Sequence, residues 1–177
     1  MQSSSKVALN SIILYIRLIL TMGISLYSTR LILNSLGNTD FGIFNLIAGL
    51  IAMLTFLNTA MAASTQRYLS FHKGGGDFNF QQKIFTSSLL LHIIIGIFIV
   101  IVCEVVGLFL FDNFLNIPSE RIEAAKIIYH FMSGMIFFAV ITSPFIAILS
   151  AHENMIWIAI VTIIEAILKL AIAISLI

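Results

Sequence analysis

Between Ile84 and Phe111 the chain reads IFTSSLLLHIIIGIFIVIVCEVVGLFLF, with one charged residue, Glu104. A helix needs about 20 residues at ~1.5 Å each to cross ~30 Å of hydrocarbon, and this run exceeds that. Four further runs match it, at 8–33, 41–66, 122–149 and 154–177. A closed β-barrel, the other fold that satisfies its backbone in lipid, is built from ~10-residue strands of alternating polarity. These runs are continuous and too long for that. The sequence therefore predicts an all-α fold, a polytopic bundle of about five spanning helices forming a single transmembrane domain over 1–177.

The composition agrees. Of 177 residues 60% are hydrophobic and 10% charged, with a mean hydropathy of +1.10. A soluble domain carries about 25% charge, and one of this size cannot hide so much apolar surface from water. The composition argues against a water-soluble enzyme, and lipid is the expected partner of most of the chain. The net charge of +1 leaves no broad basic surface, so no nucleic-acid partner is expected. The one cysteine, Cys103, lies inside an apolar run and reads as a small packing residue.

The first run is too long for a cleaved leader and contains Arg17. Between the runs lie a turn-rich 34–40 segment, a polar 70–83 segment with Gly74, Gly75 and Gly76, a 111–121 connection in which Pro118 starts the fourth helix, and a tight 150–154 link. With a cytoplasmic N-terminus, Lys6, Arg67, Lys73 and Lys83 fall inside and Arg30, Arg121 and Lys126 outside, so the basic-residue bias favours that orientation. The fifth run continues to Ile177 without a polar flank. With an odd helix count, this reads as a truncated chain.

Charge near mid-membrane costs roughly 2.5–3.5 kcal/mol on insertion scales, so Arg17, Glu165 and Lys169 are the informative residues. At 100° per residue Asn10, Arg17, Thr21 and Ser28 share a stripe. That stripe is either a cationic cavity wall for an anionic substrate or an arginine hydrogen-bonded within the bundle. Arg30 lies on another face, near the helix end, where it can snorkel. Glu165 and Lys169 are spaced i, i+4 with the glutamate first, which suits an intrahelical ion pair; a gated pair is the functional alternative. Thr55, Asn58, Ala62, Thr65 and Gln66 share a face that either packs closely through interhelical hydrogen bonds or lines a hydrated path. His92, Gly96, Cys103 and Gly107 form a second small-residue face, read as packing. Glu104 lies off it, as a proton site or an interfacial group.

Catalytic motifs fail. His152-Glu153 is followed by Ile156 where a zinc-protease motif needs histidine, and the triple glycine lacks the G-K-[ST] of a phosphate loop. No cysteine–histidine cluster suits a metal, and no cofactor or catalytic activity is expected.

The stretch Leu26-Tyr27-Ser28-Thr29-Arg30-Leu31-Ile32-Leu33-Asn34-Ser35-Leu36-Gly37, then Asp40-Phe41-Gly42-Ile43-Phe44-Asn45, resembles the first hairpin of bacterial polysaccharide exporters. These are the Wzx-like O-antigen flippases, in the superfamily that includes MATE transporters. Phe56-Leu57-Asn58, Thr65-Gln66-Arg67-Tyr68-Leu69, Asn116-Ile117-Pro118-Ser119-Glu120-Arg121, Ser143-Pro144-Phe145, Ala151-His152-Glu153-Asn154-Met155, Ile164-Glu165 and Leu168-Lys169-Leu170 continue the likeness along nearly the whole chain.

The resemblance implies part of the N-terminal lobe of a two-lobe transporter of 12 to 14 helices, with the C-terminal lobe missing. It implies a bacterial inner-membrane flippase for a polyprenyl-pyrophosphate glycan, used in lipopolysaccharide or other surface-polysaccharide synthesis and working by alternating access. Arg17 is then the first candidate for phosphate contact, with Lys169 and Glu165 next, Asn58 on the second helix, and Arg30 and Arg67 serving loop structure and gating. A MATE-like cation-coupled drug exporter and a non-transporting assembly subunit are the alternatives. The partnerless mid-depth cation speaks against a cationic cargo.

Overall fold

The computed structural model describes residues 2–53, 55–74 and 78–175, and their side chains apart from 2–5, 55–57, 74 and 112–113. Thr55, Phe56, Leu57, Gly75 and Gly76 of the sequence reading thus lie wholly or by their side chains outside it. The described residues are helical almost throughout and contain no strand: α1 (Gln2–Ala52), α2 (Thr55–Gly74), α3 (Phe78–Phe109), a π turn (Leu110–Phe114), a 3-10 turn (Ser119–Arg121), α4 (Ile122–Ala151) and α5 (Met155–Ser175). Four stretches are long and apolar enough to cross a membrane: Lys6–Ala52, Phe78–Phe109, Ser119–Ala151 and Met155–Ser175. The chain is an all-α, multi-pass membrane protein.

Several boundaries differ from the sequence reading. The expected turn over 34–40 is helical except at Gly37, whose φ of 75° and ψ of 173° break α1. That combination is open essentially to glycine alone, so one residue replaces the loop. A 47-residue span would reach ~70 Å if straight, more than two hydrocarbon thicknesses, so α1 carries the first run and the start of the second. The predicted continuous 41–66 helix is interrupted after Ala52, and α2 restarts at Thr55; no glycine or proline marks the break. Among the described residues the second run therefore supplies no separate long apolar helix, which leaves four candidate spans there beside the about five expected. The polar 70–83 segment is also mostly helical, since α2 continues to Gly74 and α3 begins at Phe78.

Other punctuation is as expected. Pro118 precedes the 3-10 turn, and the Arg121 N–H donates to its carbonyl at 2.8 Å. The link between α4 and α5 turns at Glu153, with φ of 58°.

The chain divides into two compact units. One comprises 42–151 and the other 1–41 with 152–177. In the 42–151 unit α3 packs on α4, and α2 packs on both. The buried face of α3 is Gln81, Ser88, His92, Gly96, Ile99, Cys103 and Gly107, which contains every member of the predicted small-residue stripe. The contact leaves little room for a side chain: a Cβ on Gly107 would sit 2.5 Å from Tyr129 Cε1, and one on Gly96 3.0 Å from Phe137 Cδ2. Tyr129 closes the contact by donating its hydroxyl to the Cys103 carbonyl at 2.6 Å. Ile47, from the end of α1, is buried in the cluster around Ile117, Ala125 and Tyr129. Leu69 of α2 is buried against Ala147 and Ala151.

The outward faces are apolar instead, with Ile94, Phe98, Ile101, Phe131, Met135 and Phe138 all exposed. Small and polar side chains inside and large apolar ones outside suit lipid, where close packing and hydrogen bonds, rather than expulsion from water, hold helices together.

Candidate functional site

In the unit of 1–41 and 152–177, the predicted polar stripe of α1 is its sheltered face. Asn10, Arg17 and Thr21 are half-buried and Ser28 is buried, while most of their neighbours are exposed. Asn10 Nδ2 donates to the Glu153 carbonyl at 3.2 Å, joining the starts of α1 and α5. Thr21 and Ser28 donate to carbonyls one turn back, Arg17 and Ile24, at 2.8 Å each. Such back-bonding satisfies a hydroxyl in an apolar helix. The Arg17 guanidinium has no hydrogen-bond or ion-pair partner among the described residues, so the reading in which it is tied into the bundle finds no bond to support it.

Glu165 and Lys169 form their ion pair, Nζ to Oε1 at 2.9 Å, on an exposed face of α5. The i, i+4 geometry is the structural form of the pair foreseen from the spacing. Arg30 is exposed and has no partner among the described residues.

In the 42–151 unit, Asn58 Nδ2 donates to the Ala139 carbonyl of α4 at 3.4 Å, and its buried Oδ1 has no partner. Thr65 and Ser88 join α2 to α3 through their hydroxyls at 2.8 Å. The small-polar face of α2 thus makes interhelical hydrogen bonds, the packing alternative of the two. One turn along α3, His92 Nδ1 lies 2.7 Å from the Ser88 carbonyl. A carbonyl only accepts, so Nδ1 carries a proton. Nε2 is buried without a partner, on a residue only 2% exposed. Glu104, off the packing face, accepts from His130 Nδ1 of α4 at 2.6 Å.

Beside the Thr65–Ser88 bond, α2 and α3 enclose a groove of about 490 Å³. Lys83, Ser64, Ser87 and Tyr68 line one part of it, and Met61, Leu91 and Ile95 another. Two hollows adjoin it. One of about 650 Å³ is lined by Arg67 and shares Ser64 and Tyr68; one of about 570 Å³ shares Lys83 and Ser87.

Of the predicted residues, the structure brings Arg67 to this groove's edge, leaves Asn58 one to two turns away along α2, and sets Arg17, Arg30, Glu165 and Lys169 in the other unit. Sequence reasoning missed Lys83, Ser87 and Tyr68 as lining groups. Their signal was present: Lys83, Ser87 and Leu91 repeat at i, i+4 on α3. It was masked because 70–83 read as a loop.

No family model, curated protein or solved structure matches the chain. The likeness to polysaccharide exporters rests on the residues quoted for it.

Proposed function

We propose that the chain is part of a transporter that carries a lipid-linked oligosaccharide, a polyprenyl-pyrophosphate glycan, across a bacterial inner membrane, with the N-terminus cytoplasmic. The observation that carries this reading is Arg17, a guanidinium about midway along the first apolar run, on the sheltered stripe of α1, with no partner among the described residues. An arginine at that depth costs roughly 2.5–3.5 kcal/mol to insert. A pyrophosphate offers paired oxygens to its planar fork. The head of such a cargo cannot cross hydrocarbon unaided, whereas its prenyl chain can remain in lipid. The motif likeness adds the glycan, the second lobe and alternating access to this physical argument.

The test is movement of a fluorescent polyprenyl-pyrophosphate glycan in proteoliposomes holding the protein. Arg17→Ala should reduce the rate at least tenfold while helix content by circular dichroism stays unchanged. An Arg17→Ala rate equal to that of the unaltered protein removes Arg17 from the site.

A further inference from the structure

Many hydroxyls on these helices bond their own backbone. Ser11, Thr29, Ser35, Thr86 and Thr142 all donate to a carbonyl four residues back. Ser64 and Ser87 do not, and neither they nor the Tyr68 hydroxyl has a partner among the described residues. Thr65 and Ser88, next to them in sequence, bond across the α2–α3 contact, which puts Ser64 and Ser87 within ~3 Å of one level on the two antiparallel helices. Lys83 lines the same groove one turn before Ser87, and Arg67 lines the hollow that shares Ser64 and Tyr68. Neither cation has a partner among the described residues, and no described acidic residue lines the groove or either adjoining hollow. Two cations and three unpartnered hydroxyls, with no carboxylate among the described lining residues, favour an anion. Several separate donors suit a phosphate, whose oxygens each accept.

The groove also has a direction. Lys83 stands five residues after the start of α3, where a long ammonium side chain reaches the interface. Ile95 is twelve residues further on, ~18 Å deeper along the helix. Between them the lining passes from ammonium and hydroxyl to Leu91 and Ile95. A free inorganic anion has no use for that deeper part; a lipid does.

We propose that the α2–α3 groove binds the phosphate head of a membrane lipid, with Lys83, Ser64, Ser87 and Tyr68 on the head and Leu91 and Ile95 along the chain. The site does not rest on the transport proposal, since Arg17 belongs to the other unit and a protein that moves no glycan could still hold a lipid here.

The test uses the full chain in phosphatidylcholine nanodiscs with a small fraction of phosphatidic acid carrying a photoactivatable group on its acyl chain. Crosslinks should map to α2 and α3 and should be displaced by dodecyl phosphate, but not by dodecanol or by inorganic phosphate at the same concentration. Lys83→Gln should weaken the competition by dodecyl phosphate about tenfold and Ser87→Ala about threefold. Leu91→Trp, which keeps every head contact but fills the apolar part, should abolish specific labelling. These side chains are exposed, and unchanged circular dichroism and elution confirm that each variant is folded. Displacement by dodecanol as good as by dodecyl phosphate, or undiminished competition in Lys83→Gln, overturns the phosphate head. Displacement by inorganic phosphate at equal concentration overturns the lipid.

Discussion

The two units differ in how many of their polar side chains bond between helices. In 42–151 they reach between helices: Asn58 to α4, Thr65 to Ser88, Tyr129 to the Cys103 carbonyl, Glu104 to His130, and Lys73 to the Ala151 carbonyl that ends α4. In 1–41 with 152–177 hydroxyls turn back on their own helices, Glu165 and Lys169 pair within α5, and Asn10 donates to the Glu153 carbonyl just before α5. Much of the polarity in the first unit is therefore explained by packing, the groove residues Ser64, Arg67, Tyr68, Lys83 and Ser87 excepted. Arg17 and Arg30 in the second are not explained that way. The contrast teaches where to look for function in a membrane helix: at polar groups that packing leaves unanswered.

The largest expected effect breaks the comparison at Arg17. If its guanidinium is unanswered by protein, Arg17→Leu should make insertion of the first helix more favourable by about 3 kcal/mol, even as it removes the charge that the proposed cargo needs. A glycosylation-mapping assay of membrane insertion measures this. No gain in insertion indicates a partner for the arginine and makes its unit resemble the other.

Gly107→Ala tests the packed unit. The new Cβ would meet Tyr129, which is 3% exposed and held by its hydroxyl. Overpacking of that kind costs about 2 kcal/mol. Reversible unfolding in mixed micelles should show the loss, and a variant as stable as the original means that α3 and α4 are less closely apposed than the structure has them.

How much of this was readable beforehand follows from the same contrast. Apolar length makes the spanning segments plain, because lipid sets a fixed thickness. The Gly96, Cys103 and Gly107 stripe was legible because only small side chains permit close approach, and the repeat repeats the helix period. The Glu165–Lys169 pair was legible because it is local. The interruption after Ala52 was not, since neither proline nor glycine stands there. Nor was the role of Lys83 and Ser87: polarity over 70–83 looks the same in a loop and at the interfacial start of a helix, and only the approach of α2 turns those residues into a lining. His92 was placed on the correct face, but its Nδ1 proton follows from the position of the Ser88 carbonyl, which no spacing rule supplies.

Thr65→Val is a smaller intervention that sharpens the account of packing. It keeps the shape of the side chain and removes the bond to Ser88, whose hydroxyl retains His92 Nδ1 at 3.3 Å. Interhelical hydrogen bonds in membranes average about 0.6 kcal/mol, so a loss of that order in the same micelle assay is expected. A loss several times larger assigns the Thr65, Ser88 and His92 chain a cooperative role in holding α2 to α3.

The smallest effect is the most direct control on the comparison. Gly23 lies on α1 between Arg17 and Ser28, and a Cβ added there meets nothing within 4 Å. Alanine is the better helix former by about 1 kcal/mol in water, a preference that lipid reduces because the helix has no hydrated alternative. Gly23→Ala should therefore leave stability unchanged or slightly raised, opposite in sign to Gly107→Ala although the chemical change is identical. Micelle unfolding of the two variants side by side reads that sign. A loss at Gly23 comparable with that at Gly107 requires a close neighbour for the middle of α1. The α1 face that carries Gly23 would then be a packed interface, as the α3 face that carries Gly107 is.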